Sequence, residues 1–205
     1  NNRNYGILRL NAGSLQCNGQ NVRIFNRFET SNSNNRSIDM SNSAWTFLMR
    51  GYYYRPNPGY YPWNSANSSN FSITHNNSKI SFLDGLYAAS YKEFRWGTGL
   101  DLPYIYVQDH DETIYWTGTS QFQYLEIDAD IELLNQNNMD SLALHGGHLY
   151  TLLANNTQTL NSPHGKILAK NVGASSPINL ESSSSTDTAF IHKSYGDGFC
   201  LDYIK

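Results

Sequence analysis

Apolar and polar residues alternate most regularly over residues 102–134, the longest continuous strand pattern in the chain. Within it, two alternating runs at 104–108 and 114–117 are separated by the polar residues Asp109-His110-Asp111-Glu112. A polar break of this length between two such runs is typical of a hairpin loop. The pattern therefore predicts a central antiparallel hairpin, followed by a long third strand.

The third strand has the sharpest alternation in the chain. Five apolar residues alternate with four acidic residues over 125–133. A strand with this pattern places its apolar side chains in a core and its carboxylates on the opposite face. The resulting carboxylate row is Glu126, Asp128, Asp130 and Glu132.

The rest of the chain predicts further short strands separated by Asn-, Ser- and Gly-rich turns. Asn18-Gly19 and Gly146-Gly147 are typical of tight hairpin turns. Residues 29–43 are too polar to bury more than Ile38 and Met40, and they predict a long loop with at most one edge strand. Asp84 is a possible cap for a short helix over 85–94. We predict one all-β domain over residues 1–205, an antiparallel sandwich or jelly-roll with at most one or two short helices.

Composition narrows the classes of function. The chain has 14 Lys and Arg against 17 Asp and Glu, a net charge of -3, so it lacks the basic surface that nucleic-acid binding requires. No apolar run approaches the ~20 residues of a membrane-spanning helix, and no secretory leader opens the sequence. We therefore expect no membrane insertion. The richness in Asn, Ser, Thr and Gln together with Tyr and Trp favours an extracellular or virion-surface location, with any leader already removed.

Residues 51–63 combine six aromatic residues with three prolines and two glycines. Such a segment is neither a central strand nor a helix. A rigid loop of exposed rings suits sugar or receptor binding, because ring faces stack on apolar sugar faces at low entropic cost. The alternative is that these rings fill the open end of the core. The predicted ligand-binding residues are Tyr52, Tyr53, Tyr54, Tyr60, Tyr61 and Trp63.

The carboxylate row has three interpretations. Side chains two apart on a strand lie about 6.6–7 Å apart, which falls within the ~6.5–9.5 Å between the acid and base of inverting glycoside hydrolases. A solvated or ion-paired face is the main alternative, with Arg23, Arg27 or Arg50 as partners. A cation site is the third.

Two further motifs offer metal-ligand atoms. Asp109-His110-Asp111 resembles part of a metal loop but lacks the distal Glu of a calcium loop, so a plain turn is the better interpretation. His145 and His148 flank a Gly-Gly turn and need a third ligand from elsewhere to hold a transition metal. We predict no metal, no cofactor and no catalytic residue.

Cys17 and Cys200 are the only cysteines and lie near opposite ends of the chain. They form either one disulfide that closes most of the chain into a loop or two independent buried thiols. A hydrophobic fraction of 39% is low for a lone domain, against a usual ~45–50%. We therefore expect a homotrimer rather than a monomer, with copies of the chain burying apolar surface against one another.

Residues 5–25, YGILRLNAGSLQCNGQNVRIF, have a short strand, turn, strand pattern. In this pattern and in its overall composition the chain resembles the receptor-binding tips of bacteriophage tail fibres and similar secreted adhesins. The resemblance implies a trimer that attaches to a host cell by binding a cell-surface glycan or outer-membrane protein, without catalysis. The alternatives are a secreted glycoside hydrolase that uses the carboxylate row, and a subunit of a secreted toxin.

Overall fold

The computed structural model describes residues 6–49, 60–84, 92–110 and 112–195. These ranges contain twenty β-strands and no helix. None of the described residues forms a helix able to cross a membrane. The strands are β1 (Ile7–Arg9), β2 (Gly13–Gln16), β3 (Val22–Ile24), β4 (Arg27–Glu29), β5 (Arg36–Asp39), β6 (Ala44–Met49), β7 (Trp63–Asn64), β8 (Phe71–Thr74), β9 (Lys79–Asp84), β10 (Lys92–Arg95), β11 (Asp101–Gln108), β12 (Ile114–Thr117), β13 (Gln121–Asp128), β14 (Ile131–Leu133), β15 (Asn138–His145), β16 (Leu149–Leu152), β17 (Thr157–Leu160), β18 (Ile167–Lys170), β19 (Asn179–Ser182) and β20 (Phe190–Lys193).

The strands form three sheets, and every strand pair in them is parallel. Sheet 1 has the order β1-β4-β7-β10-β12-β14-β16-β19. Sheet 2 has the order β20-β17-β15-β13-β11-β9-β6-β3, with β18 also paired to β15, and sheet 3 has the order β2-β5-β8. From β1 to β17, consecutive strands always lie in different sheets. The chain therefore winds as a parallel β-solenoid, in which each coil stacks on the coil before it.

The all-β prediction is confirmed, but the antiparallel sandwich or jelly-roll is wrong. The four residues Asp109-His110-Asp111-Glu112 do not close a hairpin, because β11 and β12 belong to different sheets. The Gly146-Gly147 turn likewise leads from sheet 2 into sheet 1. Of the predicted helix over 85–94, residues 85–91 lie outside the described ranges and the following residues form strand β10.

Asparagine supplies the backbone geometry of many corners between sheets. Six asparagines have φ between 49° and 61°, in the left-handed region where the short amide side chain is better tolerated than most others. All six lie between strands of different sheets. The high Asn content therefore serves the corners of a solenoid. These residues are Asn18, Asn42, Asn70, Asn77, Asn155 and Asn171.

Buried amides also join successive coils. The fully buried Asn137 side chain donates from Nδ2 to the Gln158 Oε1 at 3.2 Å and to the Asn135 carbonyl at 3.0 Å. Gln158 Nε2 donates to the same Asn135 carbonyl at 2.7 Å. Because buried amides are costly unless hydrogen-bonded, this network fixes the stacking of the coils at that corner.

The core is a column of apolar side chains between the sheets. The Phe47 and Phe82 rings of adjacent coils stack at 4.6 Å, and the Trp63 and Trp96 rings stack at 5.1 Å. In-register positions on adjacent strands lie about 4.8 Å apart in a sheet, so aromatic residues at equivalent positions stack directly. Buried residues from all three sheets contribute to this column.

Cys17 is a buried free thiol whose sulfur accepts a hydrogen bond from Trp45 Nε1 at 3.3 Å. Cys200 lies outside the described residues. Within the part of the chain that the structure describes, Cys17 therefore behaves as a small core residue.

Candidate functional site

The predicted carboxylate row is divided by a corner of the solenoid. Strand β13 ends at Asp128 and β14 begins at Ile131, in a different sheet. Glu126 and Asp128 therefore lie on the outer face of sheet 2, Asp130 lies at the corner, and Glu132 lies on sheet 1. The prediction of four carboxylates on one strand face is wrong, although the alternating apolar residues are buried as expected. These are Leu125, Ile127, Ala129, Ile131 and Leu133.

Parallel register brings other polar and aromatic residues beside Glu126 and Asp128. Tyr104 of β11 pairs with Tyr124 of β13 on one side and with Lys79 of β9 on the other. Two residues further along the same strands, on the same face, Tyr106 pairs with Glu126. We name the resulting outer surface the sheet-2 face. Its residues are Lys79, Tyr104, Tyr106, Tyr124, Glu126, Asp128, His145 and Lys170.

Glu126 is the centre of the sheet-2 face. Its side chain points outward yet is only 8% exposed, because three neighbours cover it. Lys170 Nζ lies 2.7 Å from Oε1, His145 Nε2 lies 2.9 Å from the same oxygen, and the Tyr104 hydroxyl donates to Oε2. This carboxylate is held in one position by donors from three other coils.

The environment of Glu126 determines its charge. Burial alone would raise the pKa of Glu126, but the hydrogen bonds from Lys170, Tyr104 and His145 outweigh burial and lower the pKa to about 2. The pKa of Lys170 is raised in turn, since its contact with Glu126 outweighs the opposing effect of burial. Glu126 is therefore an ionised acceptor at neutral pH and not a proton donor.

His145 lies between the two carboxylates of β13. Its Nδ1 is 3.1 Å from Asn171 Nδ2, which is a donor, so Nδ1 accepts and Nε2 carries the proton that is donated to Glu126. The same Nδ1 is 3.4 Å from Asp128 Oδ1. The imidazole thus lies between Glu126 and Asp128 and donates its proton to Glu126.

The tyrosines form an aromatic strip next to these acids. The Tyr104 and Tyr124 rings meet edge to face at 4.8 Å, and Lys79 Nζ lies 4.3 Å from the Tyr104 ring and 4.9 Å from the Tyr106 ring. Burial, followed by the nearby carboxylates, raises the pKa of Tyr104 and Tyr106. Burial also lowers the pKa of Lys79. The Tyr104 and Tyr106 hydroxyls therefore remain protonated donors at neutral pH.

The arginines named as partners of the acidic row make other contacts. Arg27 Nη2 lies 3.5 Å from Glu29 Oε2, and the Arg23 guanidinium lies over the Phe25 ring at 5.2 Å. Arg50 lies outside the described residues. Glu126 and Asp128 instead contact histidine and lysine side chains of neighbouring coils.

The predicted ligand-binding aromatics are described only in part. Tyr52, Tyr53 and Tyr54 lie outside the described residues, so their role stays a prediction. The Tyr60 hydroxyl donates to the Asn26 carbonyl at 2.6 Å, and the Tyr61 ring lies 3.8 Å below the Arg95 guanidinium. Trp63 is fully buried. Trp63 therefore belongs to the core, as the alternative interpretation of this segment allowed.

The sequence did not show that the other residues of the sheet-2 face lie beside Glu126 and Asp128. Tyr104, Tyr106 and Tyr124 carried a signal, since they alternate with buried residues and must point outward. His145 and Lys170 carried none, because only the parallel pairing of β13, β15 and β18 places them beside Glu126. His145 and His148 both lie near Asp128 Oδ1, at 3.4 Å and 3.1 Å, but only His145 also contacts Glu126.

Comparisons of this chain with protein-family models, with curated proteins and with solved structures give no match.

Proposed function

We propose that this protein is an extracellular carbohydrate-binding protein that holds a glycan on the sheet-2 face. The observation that carries the proposal is the presence of tyrosine rings and fixed polar groups together on one outer sheet surface. Sugar rings offer apolar faces for stacking and hydroxyls for hydrogen bonding, so their binding requires both kinds of group side by side.

The two kinds of group have separate roles in this proposal. Tyr106 and Tyr124 are half-buried, so their rings are held by neighbours and lose little freedom when a sugar stacks on them. The Asp128 carboxylate accepts sugar hydroxyls, while Lys79 and Lys170 donate to them. Because the coils repeat along the solenoid, an extended glycan has a continuous sheet surface on which to lie.

Hydrolysis is the second candidate function, and one observation favours it. Glu126 and Asp128 both contact the His145 ring, so two carboxylates lie within reach of one sugar unit. Glycoside hydrolysis needs one carboxylic acid that keeps its proton near neutral pH. The lowered pKa of Glu126 excludes it from that role. Glu126 is also only 8% exposed, which leaves it poorly placed to reach a glycosidic bond, so binding is the better supported function.

The test begins with a glycan array probed with the purified protein, followed by titration calorimetry with the glycan retained. Tyr124→Ala is expected to weaken binding at least tenfold, equivalent to ~1.4 kcal/mol. Tyr115→Ala is the matched control, because Tyr115 lies on β12 of sheet 1 and leaves the sheet-2 face intact. Equal affinities for the two variants would contradict the proposed surface. If the protein releases reducing ends from the glycan and Asp128→Asn abolishes this release, the function is hydrolysis and not binding alone.

The remaining parts of the proposal concern location and assembly. The glycan or protein ligand belongs to a cell surface, and the protein acts in host cell attachment as an adhesin or tail-fibre tip. A homotrimer would place several sheet-2 faces on one particle and raise its avidity. Light scattering tests the trimer, and a monomeric mass across the micromolar range would remove it without affecting the glycan site.

A further inference from the structure

The carboxyl ends of three adjacent strands of sheet 2 bring together two imidazoles and a carboxylate. His110 follows β11, Asp128 ends β13, and His148 follows β15. One ligand atom of each residue lies within 4.8 Å of the others. The His110 and His148 rings are nearly parallel, with centroids 5.8 Å apart. The parallel fold thus joins two sequence motifs that are 38 residues apart.

The hydrogen bonds of His148 leave one ring nitrogen directed at this cluster. Asp130 Oδ1 accepts the Leu149 backbone N–H at 2.9 Å, which fixes the carboxylate, and lies 3.1 Å from His148 Nδ1. A proton on Nδ1 leaves a lone pair on Nε2. That Nε2 lies 3.1 Å from Asp128 Oδ1, so two electron-rich atoms face each other unless a cation or a second proton lies between them.

Asp128 is suited to such a cation. Its side chain is 15% exposed, and among the described residues its Oδ2 receives one long contact, of 3.4 Å, from the Tyr106 hydroxyl. Zinc binds nitrogen at about 2.0–2.1 Å and carboxylate oxygen at about 2.0–2.2 Å. Tetrahedral ligands at those distances lie a little over 3 Å apart, which is close to the observed Nε2–Oδ1 separation.

We propose that His110, Asp128 and His148 bind one divalent transition-metal ion, such as Zn²⁺. Two imidazoles and one carboxylate favour zinc and related ions over Ca²⁺ and Mg²⁺, which prefer oxygen ligands. Asp130 is the outer partner that orients His148, as carboxylates do for many zinc-bound histidines. The exposed side of His110 borders an open pocket lined by Glu112, Thr113 and Gly147, which leaves a coordination position open to water or a ligand. This site shares Asp128 with the sheet-2 face, but its zinc affinity is measured without a glycan, so the two proposals can fail separately.

The experiment is calorimetric titration of the EDTA-treated full chain with ZnCl₂, repeated with CoCl₂ to record the visible absorption of bound Co²⁺. We expect one Zn²⁺ per chain, with no competition from millimolar Ca²⁺ or Mg²⁺. His110→Gln and His148→Gln are each expected to weaken Zn²⁺ binding at least ~100-fold, and Asp130→Asn about tenfold. His164→Gln is the matched control, since His164 is an exposed histidine far along the chain.

His110 is exposed, so His110→Gln tests the site without removing a buried group. Circular dichroism of each variant checks that it is folded. The proposal is overturned if the native chain binds no stoichiometric Zn²⁺, or if binding survives both His110→Gln and His148→Gln.

Discussion

Replacing Glu126 by glutamine tests whether the network on the sheet-2 face is as strong as its geometry indicates. The substitution keeps the shape of the side chain but removes the negative charge that Lys170, His145 and Tyr104 contact. One of these donors then faces an amide N–H instead of an oxygen. The folded protein loses charge-assisted hydrogen bonds while the unfolded chain is almost unaffected.

The magnitude follows from the pKa of Glu126, which folding lowers from 4.5 to about 2. One pKa unit corresponds to about 1.4 kcal/mol, so the carboxylate contributes at most about 3 kcal/mol. Solvent screening at an outward-facing position reduces this, and we expect Glu126→Gln to lower the free energy of unfolding by about 1–3 kcal/mol at pH 7.

The pH dependence has a definite sign. Because the folded pKa lies below the unfolded value, the contribution of Glu126 is complete above about pH 4.5 and disappears as the pH falls through about 2. The difference in stability between the native chain and Glu126→Gln should therefore shrink between pH 5 and pH 2. Urea unfolding followed by tryptophan fluorescence at several pH values measures this difference.

Glu132→Gln is the matched control for this experiment. It removes the same charge from the same stretch of sequence, but from β14 on sheet 1. We expect a change within about 0.5 kcal/mol, as for most surface substitutions. Equal losses of unfolding free energy for Glu126→Gln and Glu132→Gln would refute the hydrogen-bond network around Glu126. So would a stability difference between the native chain and Glu126→Gln that does not decrease in acid.

Two further predictions concern the interior of the solenoid. Lys92→Met removes the ammonium that contacts the Asp109 carboxylate, and since both side chains are fully buried, the free energy of unfolding should fall by about 3–5 kcal/mol in chemical denaturation. A loss below 1 kcal/mol would mean that solvent reaches this pair. Trp63→Ala removes a ring packed against Phe28 and Trp96 and should cost about 3–5 kcal/mol in the same assay; normal stability with weakened glycan binding would instead return Trp63 to the ligand surface.

The sequence predicted the positions of many strands because period-2 alternation depends only on which residues are buried. The runs at 104–108 and 114–117 lie within strands β11 and β12. The same alternation arises in parallel and antiparallel sheets, so it gave no information about strand direction. Asn-Gly and Gly-Gly pairs favour left-handed backbone at a corner as well as in a hairpin. The antiparallel fold followed from assigning every such turn to a hairpin.

The repeat of the solenoid was hidden by coils of unequal length. Ile105 pairs with Leu125 after 20 residues, whereas Leu125 pairs with Leu142 after 17. A fixed period is the signal by which repeats are normally found. Without it, Lys170 could not be placed beside Glu126, and the two histidine motifs could not be joined. The acidic residues of the site were found from the sequence. Their partners could not be found in this way, because only the register between parallel strands brings them together.

Hydroxyl-radical footprinting of the tyrosines, with and without the retained glycan, shows whether the glycan lies on the sheet-2 face. Oxidation of each ring, measured by mass spectrometry, reports whether the glycan covers it. We predict that the glycan lowers the oxidation of Tyr106 and Tyr124 and leaves Tyr115 unchanged. Protection of residues 52–54 with no change at Tyr106 and Tyr124 would contradict the account and place the ligand on the aromatic segment instead.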